Sequence, residues 1–319
     1  MLDRQLSLLL DELAAESIRE GSEEFELGLP IAFNDEAVSY KLEGPGLRGK
    51  HPDLLLRHYV GALGDRLQEL TAETLRRHKI SAEFNDDNRP PAKWPIRSAL
   101  VGSLVYDNER YAANEGEWYR IEQSFKNAIE STFNKLVEEW ESDPEPLRRM
   151  CANGKNHYEA EAIYNARFAA THGLVLLDRA MIKIPDVDRS EFESCDILDI
   201  SGKRFIHLKK SSRRSSVLSH FFKQGANSAR YFSMFNAAWT RLREIVVEKN
   251  GPEAGEQLDI ARANSQKWKV EFIIADAPRS NGQFNIPFFS KVSLRDEIRA
   301  VQAMHYDAGL RFINLQSDI

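Results

Sequence analysis

Between Ser194 and Lys210 the chain reads SCDILDI, then Ser201-Gly202-Lys203, then RFIHLKK. Two apolar, β-prone runs joined by three residues with a central glycine predict a hairpin-like pair of strands. The elements around this pair follow a definite order. YEAEAIYNARFAATH (Tyr158 to His172) has helical spacing, and GLVLLDR, starting at Gly173, reads as a strand. After the pair comes a long helical region from Ser216 to Lys249, then WKVEFIIADA (Trp268 to Ala277), an apolar run of the kind buried on both faces. SLRDEIRAVQAMHY (Ser293 to Tyr306) predicts a helix and GLRFINL (Gly309 to Leu315) a last strand. The succession is therefore helix, three strands, helix, strand, helix, strand.

Upstream, Leu2 to Ile18 predicts an amphipathic helix; Asp11, Glu12 and Glu16 interrupt its apolar centre and no small-residue cleavage site follows, unlike a signal peptide. Gly21 to Gly49 holds short strand-like pieces, Asp53 to His78 returns to helical periodicity, and Asn85 to Pro95 reads as a loop. Ala99 to Ile121 predicts strands with turns at Asp107-Asn108 and Glu115-Gly116, and Glu122 to Glu141 a helix. ESDPEP (Glu141 to Pro146) is the expected boundary between a mixed α/β region over 1–145 and a second domain over 146–319. At 319 residues, 42% hydrophobic and 29% charged, the composition is that of a soluble globular protein with room for two domains. No apolar run reaches the roughly 18 to 20 residues that span a bilayer. Two cysteines, Cys151 and Cys195, make no disulfide framework and fit a reducing cytoplasm.

Charge is unevenly placed. From Ile200 to Arg243 there is no Asp or Glu, while ten Lys or Arg occur; the chain as a whole is −6, so the remainder carries −16. Side chains alternate along a strand, so Ile206 and Leu208 share one face of RFIHLKK and His207 and Lys209 the other. Asp196 lies on the preceding strand, with Glu193 close in sequence. An acid on one strand and a polar-x-Lys triplet on the next is the arrangement of metal-dependent nucleases of the PD-(D/E)XK superfamily. Carboxylates hold Mg²⁺ or Mn²⁺, which acts on the scissile phosphate, and the lysine serves the attacking water. The element order matches the αβββαβ core of that superfamily, and Glu161 supplies a second acid on the helix before the first strand. A surface hairpin with solvated charges is the plain alternative.

Several further motifs carry the resemblance. EAIYN (Glu161 to Asn165), LLDR (Leu176 to Arg179), ESCDIL, FIHLKK, SSVLSHFFKQGANSA, IPFFSKVSL and, upstream, YAANEGEWYRIEQSF (Tyr111 to Phe125) resemble a sporadically distributed bacterial family of unknown function found in defence islands. The resemblance spans about Ala99 to Ile313. Members are usually longer at the N-terminus, so a short member or a fragment is expected. The resemblance implies an α+β chain, in which an N-terminal mixed α/β region precedes a PD-(D/E)XK-like core with a mixed sheet, and a role in defence against phage or plasmids. On this reading Glu161 and Asp196 are metal ligands and Lys209 activates water. His207 is an auxiliary ligand or phosphate contact. Lys210, Arg213, Arg214 and Lys223 grip the nucleic-acid backbone, helped by Ser219, His220 and Gln224. His207 departs from the triplet, which normally has Glu or Asp there, and imidazole suits softer ions than Mg²⁺.

The expected partners are nucleic acid, DNA rather than RNA, and a second copy or other defence proteins; no membrane is expected. The alternatives are a catalytically inactive nuclease-fold module that binds nucleic acid, and a scaffold whose basic stretch docks an acidic partner. Cys195, His207 and His220 match no zinc spacing, no G-x-S-x-G elbow accompanies Ser219-His220, and no phosphate loop of the G-x-x-x-x-G-K-[ST] type occurs. Phe221, Phe222, Tyr231, Phe232, Phe235 and Trp239 predict core packing rather than a base-stacking platform.

Overall fold

The computed structural model describes residues 2–22, 24–28, 37–47, 49–51, 54–84, 90–152, 155–184, 191–210, 215–279 and 282–316. The chain divides into two compact units. The first comprises Met1–Glu130 with Ser212–Ser219 and Ile286–Val292; the second comprises Ser131–Ser211, His220–Asn285 and Ser293–Ile319.

The first unit contains two antiparallel four-stranded sheets. One pairs Phe25–Leu27, Leu100–Tyr106, Glu109–Asn114 and Glu117–Ile121 in that order; the other orders Lys50–His51, Ala37–Glu43, Lys79–Phe84 and Ala92–Pro95. The helix Arg4–Arg19 buries Leu10, Ala14, Ala15 and Ile18 in a core shared with Tyr59, Leu75, Ile96 and Trp118. Asp107, Asn108, Glu115 and Gly116 all have positive φ, as the two expected turns require. The expected loop over Asn85–Pro95 is only partly so. Residues 85–89 lie outside the described residues, and Ala92–Pro95 is a strand bonded to Lys79–Ala82. Of Ala92, Lys93 and Trp94 only Trp94 favours a strand, and the prolines before them hid the pairing.

The second unit is built on a five-stranded mixed sheet. Its strands are β1 (Val175–Leu176), β2 (Ile197–Asp199), β3 (Arg204–Lys210), β4 (Lys269–Asp276) and β5 (Asp307–Asn314), adjacent in that order. β1, β2 and β3 are antiparallel neighbours, and β3, β4 and β5 run parallel. The β2–β3 pair is the expected hairpin, with Ile197 opposite Ile206. Parallel neighbours need long crossovers. α1 (Glu161–His172) precedes the sheet. α2 (Ser215–Met234), α3 (Asn236–Asn250) and α4 (Pro252–Ala263) lie between β3 and β4, and α5 (Phe288–Ala303) lies between β4 and β5. A small hairpin, Met181–Lys183 with Glu191–Glu193, is inserted between β1 and β2.

Both faces of the sheet are covered. Ile206 and Leu208 join Tyr164 and Phe168 of α1 with Ile197, Ile273 and Ile313 in one buried cluster. On the other face Phe205 stacks on Phe232 and Trp268, and Phe272 meets Phe221 and Phe222 edge-on. Phe221, Phe222, Phe232 and Trp239 are buried, and Tyr231 and Phe235 contact them or each other, so this aromatic set is core. Among the described residues no helix is long and apolar enough to cross a membrane.

Candidate metal centre

Three strand ends and one helix start bring acids together. The Leu177 N–H donates to the carbonyl of Asp196 (2.8 Å), so the chain leaving β1 runs beside the chain entering β2. Asp178 follows Leu177, and Glu193 ends the inserted hairpin. Asp178, Glu193 and Asp196 each offer a carboxylate oxygen within 4.8 Å of the others, all three partly buried. The Asp196 carboxylate also accepts the Leu208 N–H at 2.7 Å, which ties the acid of β2 to the backbone of β3. The Arg179 N–H donates to Glu193 at 2.7 Å, and Asn165 of α1 donates to Asp178 at 3.4 Å.

Glu161, the first residue of α1, is reached from β3: Lys209 Nζ lies 3.4 Å from Oε1, and the Lys210 N–H donates to Oε2 at 2.6 Å. Burial, together with the charges of Glu193, Glu161 and Asp178, pushes the Asp196 carboxyl up to about 8, against the pull of the Leu208 N–H. Glu193 is also raised, first by burial and then by Asp178, while Lys209 and Arg179 oppose the shift. Four carboxylates therefore share a region with Lys209, and their like charges add to the burial that raises Asp196 and Glu193. Hard oxygen donors of this number and closeness fit a divalent cation such as Mg²⁺, Mn²⁺ or Ca²⁺, and do not fit a thiophilic metal.

Glu161, Asp196 and Lys209 thus come together. Asp178 and Glu193, absent from the sequence-based set, complete the group. Their only signals were an acid directly after an apolar strand and an acid three residues before Asp196. His207 is not part of the group. It is 3% exposed, its ring centroid is 5.8 Å from that of Phe272, and burial holds its pKa down at about 4. Cys195 is fully buried with its thiol pushed up by burial, and contributes no ligand.

The basic residues disperse. Lys210 places its ammonium 5.3 Å from the centre of the Tyr158 ring. Lys223 and Gln224 are exposed, and Lys223 is close enough to Glu297 of α5 to act on its carboxyl. His220 is exposed, and Ser219 belongs to the first unit. Arg213 and Arg214 lie outside the described residues. At the far end of β3, Arg204 is bound to Asp199 and to the buried Glu271, and Lys203 donates to the carbonyls of Asn264 and Gln266. Arg241 and Arg243 pair with Glu244 and Asp259. No curated protein and no solved structure matches the chain. One family model does, over residues 2–314, and the chain belongs to that family, a family of unknown function (DUF6119).

Proposed function

We propose that the second unit is a divalent-cation-dependent nuclease with a PD-(D/E)XK-like core, acting on DNA in defence against phage or plasmids. One observation carries the reading: three carboxylates within 4.8 Å of one another at the strand ends where Lys209 reaches Glu161. The helix, the antiparallel strands and the parallel crossover that hold these residues are the elements such a core uses. Glu193 and Asp178 supply the carboxylate that the triplet lacks at His207. Asp178, Glu193 and Asp196 would hold Mg²⁺ or Mn²⁺, which would supply Lewis-acid stabilisation of the charge developing on a phosphodiester. Lys209, beside Glu161 and Glu193, orients the attacking water and offsets that charge. Asn165 orients Asp178, and Glu161 positions Lys209. Among the described residues, Lys210 and Lys223 are candidates for phosphate contacts.

The test is cleavage of plasmid DNA and of structured RNA with Mg²⁺ or Mn²⁺, alongside calorimetric titration of Mn²⁺. Lys209→Ala is expected to lower the cleavage rate by about 10² to 10³ while Mn²⁺ still binds. Asp196→Asn is expected to lose Mn²⁺ binding and cleavage together. Unchanged Mn²⁺ affinity in Asp196→Asn would remove the site. Salt-dependent nucleic-acid binding without cleavage by the wild type would assign the unit to binding alone.

A further inference from the structure

The first unit has a cationic cavity that the nuclease reading does not use. It measures about 500 Å³ and is lined by Arg4, Ser7, Arg76, Arg97, Ser98 and Glu117, with Leu2, Leu8 and Pro95 as its apolar wall. Behind it lies Asp11, 2% exposed on the helix Arg4–Arg19. The Asp11 carboxylate accepts Arg97 Nε at 3.2 Å, Arg76 Nη2 at 2.5 Å and Trp118 Nε1 at 2.8 Å.

That acid fixes two guanidinium groups without exhausting them. Arg97 turns its Nε edge to Asp11, and its Nη nitrogens make no hydrogen bond to a described residue; neither does the Ser98 hydroxyl. Gly116 packs its backbone closely on this flank: a Cβ there would meet Arg97 Nη1 at 3.0 Å and Ser98 Oγ at 3.2 Å. Arg4 is exposed and has no ion-pair partner among the described residues. Three guanidinium groups face one buried carboxylate and one exposed rim acid, Glu117, which leaves the cavity net positive.

We infer that this cavity binds the phosphoryl group of a small phosphate monoester, whose organic part rests on Leu2, Leu8 and Pro95. Arginine is the donor suited to two parallel bonds on a tetrahedral oxyanion, and its fork is already held in place by Asp11, so little ordering remains on binding. A cavity of this size suits a small organic ligand. A dianionic phosphoryl group matches three guanidinium groups better than a monoanionic carboxylate does. The plain alternative is an arginine pair that only neutralises Asp11; it predicts no role for Arg4, Ser98 or Glu117.

The experiment is calorimetric titration of the full chain with phenyl phosphate, inorganic phosphate and benzoate at low ionic strength, with folding checked by thermal melts. Saturable binding is expected, tightest for phenyl phosphate. Arg4→Ala should weaken it by about two- to five-fold, the range of an exposed charge contact. Glu117→Gln should tighten it by about two-fold through loss of the rim charge. Arg97→Lys keeps a cation on Asp11 and loses the fork, and should weaken binding by about ten-fold or more. Ser98→Ala removes one hydroxyl and serves if Arg97→Lys melts early. Absence of saturable binding would overturn the site. Benzoate binding as tightly as phenyl phosphate would overturn the phosphoryl assignment. Affinity unmoved in Arg4→Ala, Glu117→Gln and Ser98→Ala together would reduce the cavity to a structural charge pair.

Discussion

His207 is 3% exposed beside Phe272, and its Nε2 has no hydrogen-bond partner among the described residues. Burial lowers its pKa from 6.5 to about 4, so the fold holds the neutral ring while the unfolded chain binds a proton more readily. The stability this contributes is present above about pH 6.5 and is lost as pH falls toward 4. His207→Phe is expected to flatten that part of the acid-unfolding profile while leaving the fold intact. His207→Glu, which would restore the usual nuclease triplet, is instead expected to destabilise, because it buries a carboxylate against Phe272. Asp196 works in the opposite sense. Its carboxyl is raised from 3.8 to about 8, so the folded state holds a proton that the unfolded chain releases. Stability from this group is full below about pH 4 and declines as pH rises toward 8. In chelator the melting temperature should therefore fall as pH rises across that window, and Mn²⁺ should restore it. Each kcal/mol corresponds to about 2–4 °C in a domain of this size. Asp196→Asn should melt higher than wild type in chelator at pH 8 and gain nothing from Mn²⁺. A wild-type melting temperature indifferent to Mn²⁺ at that pH would count against cation binding.

At the level of elements, α2 meets the sheet through a glycine. A Cβ on Gly225 would come within 2.6 Å of Phe272 Cε1 and 3.1 Å of Val270 Cγ1, and both of those residues are fully buried. Alanine is better than glycine in a helix by about 1 kcal/mol, but overpacking against a rigid ring costs about 1–3 kcal/mol. Gly225→Ala should therefore lower stability in urea despite its higher helix propensity. The strands that make this sheet were legible because their apolar runs are long and their ends are marked by glycine or charge. RFIHLKK, WKVEFIIADA and GLRFINL correspond to β3, β4 and β5. The division of the long helical region into α2 and α3 was not legible. Phe235 is extended there, with φ −128° and ψ 112°, yet neither glycine nor proline announces the break. Tertiary packing supports it: Trp239 Nε1 donates to the Phe232 carbonyl at 2.9 Å, satisfying an acceptor that the ended helix releases. α4 was missed too, although Pro252 opens it. In the acid group, Glu161, Asp196 and Lys209 could be placed from strand order alone. Asp178 and Glu193 could not, because their closeness depends on the β1–β2 pairing and on an inserted hairpin, neither of which leaves a local pattern.

Across the whole molecule, neither charge nor apolar burial is pooled. Among the described residues, the cations between Ile200 and Arg243 do not act as one patch. Arg204, Arg241 and Arg243 are spent on acids of the second unit, Lys203 caps backbone carbonyls, and Lys209 serves Glu161. Two of the buried clusters are likewise separate. One draws only on residues between Leu10 and Trp118, the other only on residues between Leu147 and Ile313. Units with cores of their own can open separately, with distinct free energies. Asp11 offers a way to see this. Its carboxylate is the shared acceptor for Arg76, Arg97 and the Trp118 indole, so Asp11→Ala strands buried donors and two cations. Arg76 and Arg97 keep part of their side chains in solvent, so the loss is about 1–3 kcal/mol, less than for a fully buried ion pair. In native-state hydrogen exchange, Asp11→Ala is expected to lose protection by that amount in the strands Leu100–Tyr106 and Glu109–Asn114. The amides of β3 and β4 should keep wild-type protection, and the Mn²⁺-dependent gain in the second unit should survive. Equal loss of protection in both sheets would show instead that the chain unfolds as one cooperative body.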